Sequence, residues 1–302
     1  MPSDTRALSL FSALPAPRAV LELFKPVTWF PPMWAFLCGL VSSGQALADH
    51  LGLLVLGVLL TGPLVCATSQ AVNDWFDRHV DAINEPDRPI PSGRVPGRWG
   101  LYIGVVWSLV SLAVASVMGP VVFAAAVLGL VLAWIYSAPP LRLKNNGWWG
   151  NAACGACYET LPWITGAAVM VGGALPEPRI LVVAALYGIG AHGIMTLNDF
   201  KAIDGDTQLG VRTLPVQLGA ARAARFACLV MALAQIAVVL LLVLWGQPAF
   251  AAGIAVSLAL QLVAMRRLLG DPERFAPWYN ATGVSLYVLG MLAAAFALRA
   301  LL

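Results

Sequence analysis

The sequence predicts an all-α integral membrane protein of nine transmembrane helices, in one domain over residues 1–302 with a cytoplasmic N-terminus. Three observations predict it. Of the 302 residues, 60% are hydrophobic and 11% charged, against roughly 25% charged in soluble domains. Nine apolar stretches approach the roughly 20 residues that a helix needs to cross a hydrocarbon core of about 30 Å. Lysine and arginine gather in alternate connecting segments, which sets an orientation.

The stretches run at about 22–42, 51–72, 99–117, 120–137, 150–172, 179–198, 222–245, 248–268 and 279–301. Residues 1–21, with Pro2, Asp4, Pro15 and Pro17, lack the basic start and cleavage site of a secretory signal, so a short cytoplasmic tail is expected there. Pro31-Pro32 should kink or interrupt the first span. Gly119-Pro120, "GGALPEP" at 172–178 and "GQP" at 246–248 mark turns between later ones. The five cysteines (Cys38, Cys66, Cys154, Cys157 and Cys228) all fall in apolar stretches, which argues against a disulfide framework.

With the N-terminus in the cytoplasm, every one of the 18 lysines and arginines except Arg179 and Arg299 falls on the cytoplasmic side. The acids are equally uneven. Eight of the 15 lie in two stretches, Asp74, Asp77, Asp81, Glu85 and Asp87 in the first and Asp199, Asp204 and Asp206 in the second. Both follow an even-numbered span and open with Asn-Asp-aromatic, "NDW" at 73 and "NDF" at 198, a weak internal repeat.

Asn73, Asp77 and Asp81 are spaced i, i+4, i+8. Each step of four turns a helix about 400°, so the three drift only about 80° and share a face. Asp199 and Asp206, seven apart, would also share one, although Gly205 is expected to end the helix and let Asp204 turn inward from a loop. A solvated acidic cap is the plainer explanation of one such loop. Two matched clusters at one membrane face point instead to a hard cation, because carboxylates and an Asn carbonyl are oxygen donors suited to Mg²⁺ bridging protein to phosphate. Two facing clusters repel a phosphate-bearing substrate, and one or two Mg²⁺ between them make a diphosphate clamp. Arg88 and Arg94 in "DRPIPSGR", Arg142 and Lys144 in "PPLRLK", and Lys201 are the cations available for the remaining phosphate oxygens. A diphosphate at the mouth of an apolar bundle implies a lipid-like tail in the bilayer, hence an isoprenyl diphosphate. Metal-assisted departure of diphosphate leaves an allylic cation, which aromatic faces can stabilise. Trp29, Trp75, Trp99, Trp148 and Trp149 lie near that end, although an ordinary interfacial belt accounts for most of them.

The motif "NDWFDRHVD" has the N-x-x-x-D-x-x-x-D spacing of UbiA-type intramembrane prenyltransferases, "RPIPSGR" follows it, and "NDFKAIDGD" resembles their second aspartate-rich motif. The strings "KPVTWFPPMWAFLCG", "DAINEPDRPIPSG", "YSAPPLRLKNNGWWGN" and "NDFKAIDGDTQLGVRTLPVQLG" resemble the chlorophyll and bacteriochlorophyll synthase branch, over about residues 22–220. The resemblance implies a UbiA-like bundle whose central cavity opens to the bilayer. It also implies Mg²⁺-dependent esterification of the propionate of bacteriochlorophyllide a with geranylgeranyl or phytyl diphosphate, in the photosynthetic membrane of a bacterium. By position, Asn73, Asp77 and Asp81 take the first metal site, and Asp199 with Asp206 the second, with Asp204 a further candidate; Ala202 stands where some relatives carry an acid. The acceptor is already a carboxylate, so no catalytic dyad is required and none is visible. A pigment product implies other pigment-biosynthesis or assembly proteins as partners.

Within the spans, Glu159 and His192 are the candidates for contact with the tetrapyrrole. Glu159 is an intramembrane acid, and the His192 imidazole could bind the macrocycle's magnesium, although a hydrogen-bonded core histidine is the ordinary alternative. His79, at i+2 from Asp77, points away from the metal face. Cys154 and Cys157, a lone CxxC, read as small packing residues. No nucleic-acid signature is present. A quinone or haem-precursor prenyltransferase would share the aspartate motifs. A transporter would carry its acids near the midplane of broken helices, and a non-catalytic pigment-assembly factor would not need paired aspartate clusters.

Overall fold

The computed structural model describes residues 14–302. The expected tail therefore lies largely outside the described residues, Arg6 with it. Its last part is ordered as a short helix, α1 (Pro17–Leu23), which buries Ala19 and Leu23. Every regular element among the described residues is helical, apart from one isolated parallel bridge between Asn146 and Arg212.

Lys25, in the left-handed region at φ 46°, turns the chain into a 3₁₀ turn (Pro26–Trp29) and then α2 (Phe30–Ser42). Pro31 and Pro32 thus start a helix instead of breaking one. They sit in its first turn, where the N–H has no intrahelical partner to lose. Next come α3 (Leu51–Leu59), a π-helical segment (Leu60–Cys66) and α4 (Ala67–Asn84). They are followed by α5 (Trp99–Ser116) and α6 (Pro120–Ser137). A second π segment (Ala156–Thr160) joins α7 (Gly147–Gly155) to α8 (Leu161–Met170). Then come α9 (Pro178–Asn198), a 3₁₀ turn (Asp199–Ala202), α10 (Ile203–Leu209) and α11 (Leu214–Leu218). The chain ends in α12 (Ala220–Leu244), α13 (Pro248–Gly270) and α14 (Pro272–Arg299). Proline opens α6, α9, α13 and α14, where its fixed φ suits the first helical position.

Among the described residues, seven helices are long and apolar enough to cross a membrane. The two other stretches expected to span are the Pro26–Ser42 segment, which is short, and Gly147–Met170, which is interrupted by polar residues and a π segment.

Each π segment has a proline to explain it. Pro63 lies inside the first, and Pro162 follows the second at the start of α8. A proline offers no N–H to the carbonyl four residues back and its ring crowds that carbonyl, so the ladder must shift there. The main core packs α9 against α12, α14 and the α7–α8 pair, around Trp163, Tyr187 and Tyr287. The Tyr187 ring stacks on Trp163 and meets Tyr287 edge-on, and the Tyr287 hydroxyl donates to the Tyr187 carbonyl at 2.8 Å. Close backbone approach joins α2 to α8. A Cβ on Gly39 would lie 2.0 Å from the Trp163 carbonyl oxygen, and one on Gly166 would lie 2.1 Å from that of Phe36.

Candidate active site

The π segments flank a cavity of ≈ 230 Å³ between α4, α6 and the α7–α8 pair. Its deep end is apolar, with Leu60, Ala125, Ala126 and Leu161; toward the other end stand Gln70, Asn73, Tyr136 and Tyr158. The α4 helix carries the lining onward into the acidic stretch. Asn73 faces the cavity, and its amide donates to Ser137 Oγ at 3.1 Å, which leaves the carbonyl oxygen free to accept.

One turn beyond, Asp77 is paired with Lys144 and, at 3.3 Å, with Arg142. Arg142 is the second non-glycine residue in the left-handed region (φ 41°), a conformation that costs an L-residue roughly 1–2 kcal/mol. In that geometry its guanidinium also donates to the carbonyls of Ser137 and Phe76, so three acceptors fix it beside Asp77. Burial pushes the Lys144 ammonium below the usual lysine range, and the neighbouring Asp77 offsets this only in part. Another turn on, Asp81 is buried and accepts from Arg88 at 2.9 Å; Arg88 also bonds Glu85 through two nitrogens. Burial works against the Arg88 charge, but Glu85, Asp74 and Asp81 more than offset it and hold its pKa above the ordinary value.

The second cluster is arranged differently from the sequence expectation. Gly205 does not end the helix, because the 3₁₀ turn at Asp199–Ala202 resets the chain and α10 runs through it. A glycine in a helix interior costs only about 1 kcal/mol. Asp204 consequently faces solvent and does not turn inward. Asp199 accepts from Asn151 Nδ2 at 3.3 Å, and the same amide donates to Thr196 at 3.2 Å. Asp206 accepts from Thr213 at 3.1 Å. The loop carrying Arg142 and Lys144 is tied to the segment after α10, since Gly147 N donates to the Arg212 carbonyl at 2.8 Å and Arg212 N to that of Asn145 at 3.0 Å. The two acidic regions are therefore held at one end of the bundle by backbone hydrogen bonds. The repeat is imperfect. Asn198, the counterpart of Asn73, accepts from Asn280 on α14 and acts as a brace.

The remaining candidates divide. Lys201 is exposed beside Asp199. Arg94 is committed elsewhere, to the Glu22 carboxylate and the Asp87 carbonyl, and its hydrogen bond to Glu22 holds that acid below the usual carboxylate range. His79 is exposed. His192 Nε2 donates to the Trp148 carbonyl at 3.1 Å, and its ring lies among Trp148 and Phe226. Glu159 is buried with Oε2 unpartnered. Neither His192 nor Glu159 lines the cavity. Asp74 is 1% exposed and bonds Lys25 at 2.6 Å, an ion pair about 60° around α4 from Asp77. Sequence reasoning missed Lys25, Gln70, Asn151 and Tyr158. The available signal was a polar side chain inside an otherwise apolar span.

Among the described residues no three His, Cys, Asp or Glu side chains converge as a cation cage. The donor set nevertheless fits Mg²⁺. It is all oxygen, from carboxylates and one amide, and Mg²⁺ binds through one or two carboxylates plus substrate phosphates and seldom through an all-protein cage.

The model of the UbiA prenyltransferase family matches residues 29–285, and the chain belongs to that family. It is a prenyltransferase of the chlorophyll and bacteriochlorophyll synthase branch. It is 60% identical over 289 residues to the bacteriochlorophyll synthase 33 kDa chain of Cereibacter sphaeroides, covering 96% of this chain and 95% of that one. It is 56% identical over 289 residues to the Rhodobacter capsulatus protein of the same name, covering 95% of each. A UbiA homolog from Archaeoglobus fulgidus, solved bound to GPP and Mg²⁺, shares the fold with a TM-score of 0.73 at 20% identity, over 93% of this chain and 99% of that one.

Proposed function

We propose that the protein joins a geranylgeranyl or phytyl group from its diphosphate to the propionate carboxylate of bacteriochlorophyllide a, in a Mg²⁺-dependent reaction at the cytoplasmic face of a photosynthetic membrane. The observation that carries this reading is the cluster of acids and cations around Asp77, one helical turn beyond the Asn73 end of an apolar cavity. The single domain crosses the bilayer nine times from a cytoplasmic N-terminus. The distribution of lysine and arginine supports that topology, as do the two helical segments beside the seven long helices.

Asn73, Asp77 and Asp81 would hold one Mg²⁺ and Asp199 with Asp206 a second, while solvent-facing Asp204 is at most an outer contact. The metal supplies neutralisation of the charge that builds on the leaving diphosphate. Lys144, Arg142, Arg88 and Lys201 are the side chains that reach phosphate oxygens, the first three by exchanging a carboxylate for the substrate. In the reaction the C1–O bond to diphosphate breaks with its electron pair leaving on the diphosphate. A propionate oxygen gives a pair to C1, and the ester forms with no net transfer of a proton. The cavity is smaller than most ligand pockets, which hold about 300–1,000 Å³. It therefore houses the reacting ends, while the rest of the tail and the macrocycle lie toward the bilayer.

The test is direct. Purified protein in detergent is given bacteriochlorophyllide a and geranylgeranyl diphosphate, with Mg²⁺ or with a chelator, and the esterified pigment is followed by chromatography. Ester formed only with the metal supports the reading. Prenylation of chlorophyllide or of a quinone precursor in its place moves the acceptor, and no product from any acceptor overturns it.

A further inference from the structure

The three aliphatic hydroxyls along the cavity are already satisfied by their own helices. Thr61 donates to the Gly57 carbonyl at 2.9 Å, Ser69 to that of Cys66 at 2.7 Å and Thr165 to that of Leu161 at 2.8 Å. Asn73 is turned to Ser137. Gln70 and Tyr158 are different. They face each other across the cavity, one helical turn deeper than Asn73, with Gln70 Nε2 donating to the Tyr158 hydroxyl at 3.2 Å. That bond leaves the second amide hydrogen, the amide oxygen and the phenolic hydrogen without a backbone partner. The nearest alternative for Tyr158 is the Cys66 thiol, a weak acceptor. In an apolar bundle such groups are costly to strand, so a ligand that accepts two hydrogen bonds belongs there.

We infer that Gln70 and Tyr158 bind the carboxylate of the acceptor, the amide and the phenol each donating to its oxygens beside the carbon that is alkylated. The inference rests on the proposed function and names its acceptor subsite. Charge decides in favour of this pair. Lys25 is held on Asp74, and Arg88, Arg142 and Lys144 stand at the acidic end, paired with carboxylates there and assigned to the diphosphate. A cation in the cavity would weaken the carboxylate as a nucleophile and repel the positive charge that develops on C1. Neutral donors orient the carboxylate and avoid both effects. The step needs no acid or base here: the carboxylate oxygen's pair makes the new C–O bond as the old one leaves with diphosphate, and neither residue gains or loses a proton.

The test measures KM for each substrate separately, in the wild type and in Gln70→Glu, Gln70→Leu and Tyr158→Phe. Gln70→Glu sets a like charge against the acceptor. The expected result is an acceptor KM raised about tenfold or more in Gln70→Glu and Gln70→Leu, a loss of about 1.4 kcal/mol, with a smaller rise in Tyr158→Phe. KM for the prenyl diphosphate stays within about twofold of wild type in all three. Should the Gln70 variants fail to fold, Tyr158→Phe keeps the ring volume and decides alone. Acceptor KM unchanged, or both KM values raised together as a reshaped cavity would raise them, overturns the inference. A wild type that forms no ester refutes the proposed function instead, so the two failures are distinct.

Discussion

Asp74 and Asp77 are three residues apart on α4, yet they face different surroundings, and the contrast gives a sharp prediction. Replacing each by asparagine keeps the shape and removes the charge. Breaking a fully buried ion pair by deleting one partner costs about 3–5 kcal/mol. Asp74 is 1% exposed, but its partner Lys25 is 26% exposed and can reach water, and Arg88 keeps Asp81 and Glu85. The cost of Asp74→Asn is therefore toward the low side, about 2–3 kcal/mol, which lowers the unfolding midpoint by roughly 3–5 °C. Asp77 is 20% exposed beside Lys144 at 14% and Arg142 at 35%. Solvent screening reduces its stability cost to about 1 kcal/mol. Its effect on rate is the larger one, because losing a group that manages developing charge costs about 10²–10³ in turnover. Thermal unfolding in detergent and initial rates of ester formation, on the same preparations, read the two effects. Asp74→Asn should melt early and retain turnover within a few-fold, and Asp77→Asn should melt nearly normally and lose turnover. If Asp74→Asn abolished turnover while folded, or if Asp77→Asn proved only a stability variant, the division of roles between the two aspartates would be wrong.

Two further outcomes are expected. Burial holds the folded Lys144 pKa below its unfolded value, so the charged form carries a penalty that is fully present at low pH and fades as pH rises through that window toward about 10.4. Since the phosphate-binding form is the charged one, kcat/KM for the prenyl diphosphate should begin to fall below the ordinary lysine pKa, and Lys144→Arg should move that alkaline limb upward. Gly39→Ala should cost more than the roughly 1–3 kcal/mol typical of overpacking, because the added methyl meets the Trp163 backbone carbonyl, which cannot rotate away as a side chain can; fluorescence-detected size-exclusion with a thermal ramp would show a depleted monodisperse peak.

The membrane class, the helix positions and the first acidic face could be read directly from residues. Hydrocarbon solvent forces backbone pairing within each segment, so composition and length alone specify helices. The i, i+4, i+8 spacing of Asn73, Asp77 and Asp81 is a local property that survives folding intact. Pro31-Pro32 and Gly205 were misleading for a common reason. Each residue's effect depends on where a helix starts, and the Lys25 turn and the 3₁₀ turn at Asp199–Ala202 set those starts.

What only tertiary structure decided is which charges and dipoles meet. Arg88, Arg142 and Lys144 lie 11 to 67 positions from Asp77, and the fold pairs the last two with it while sending Arg94 to Glu22. The seat of Gln70 against Tyr158, 88 positions apart, and the separation of Glu159 and His192 from the cavity likewise follow from helix rotation and packing. The sequence determined the solvent, the elements and the residue types of the site, because these depend on neighbours along the chain. Partnership was left to the fold, because a hydrogen bond or an ion pair depends on distance through space, which periodicity does not encode.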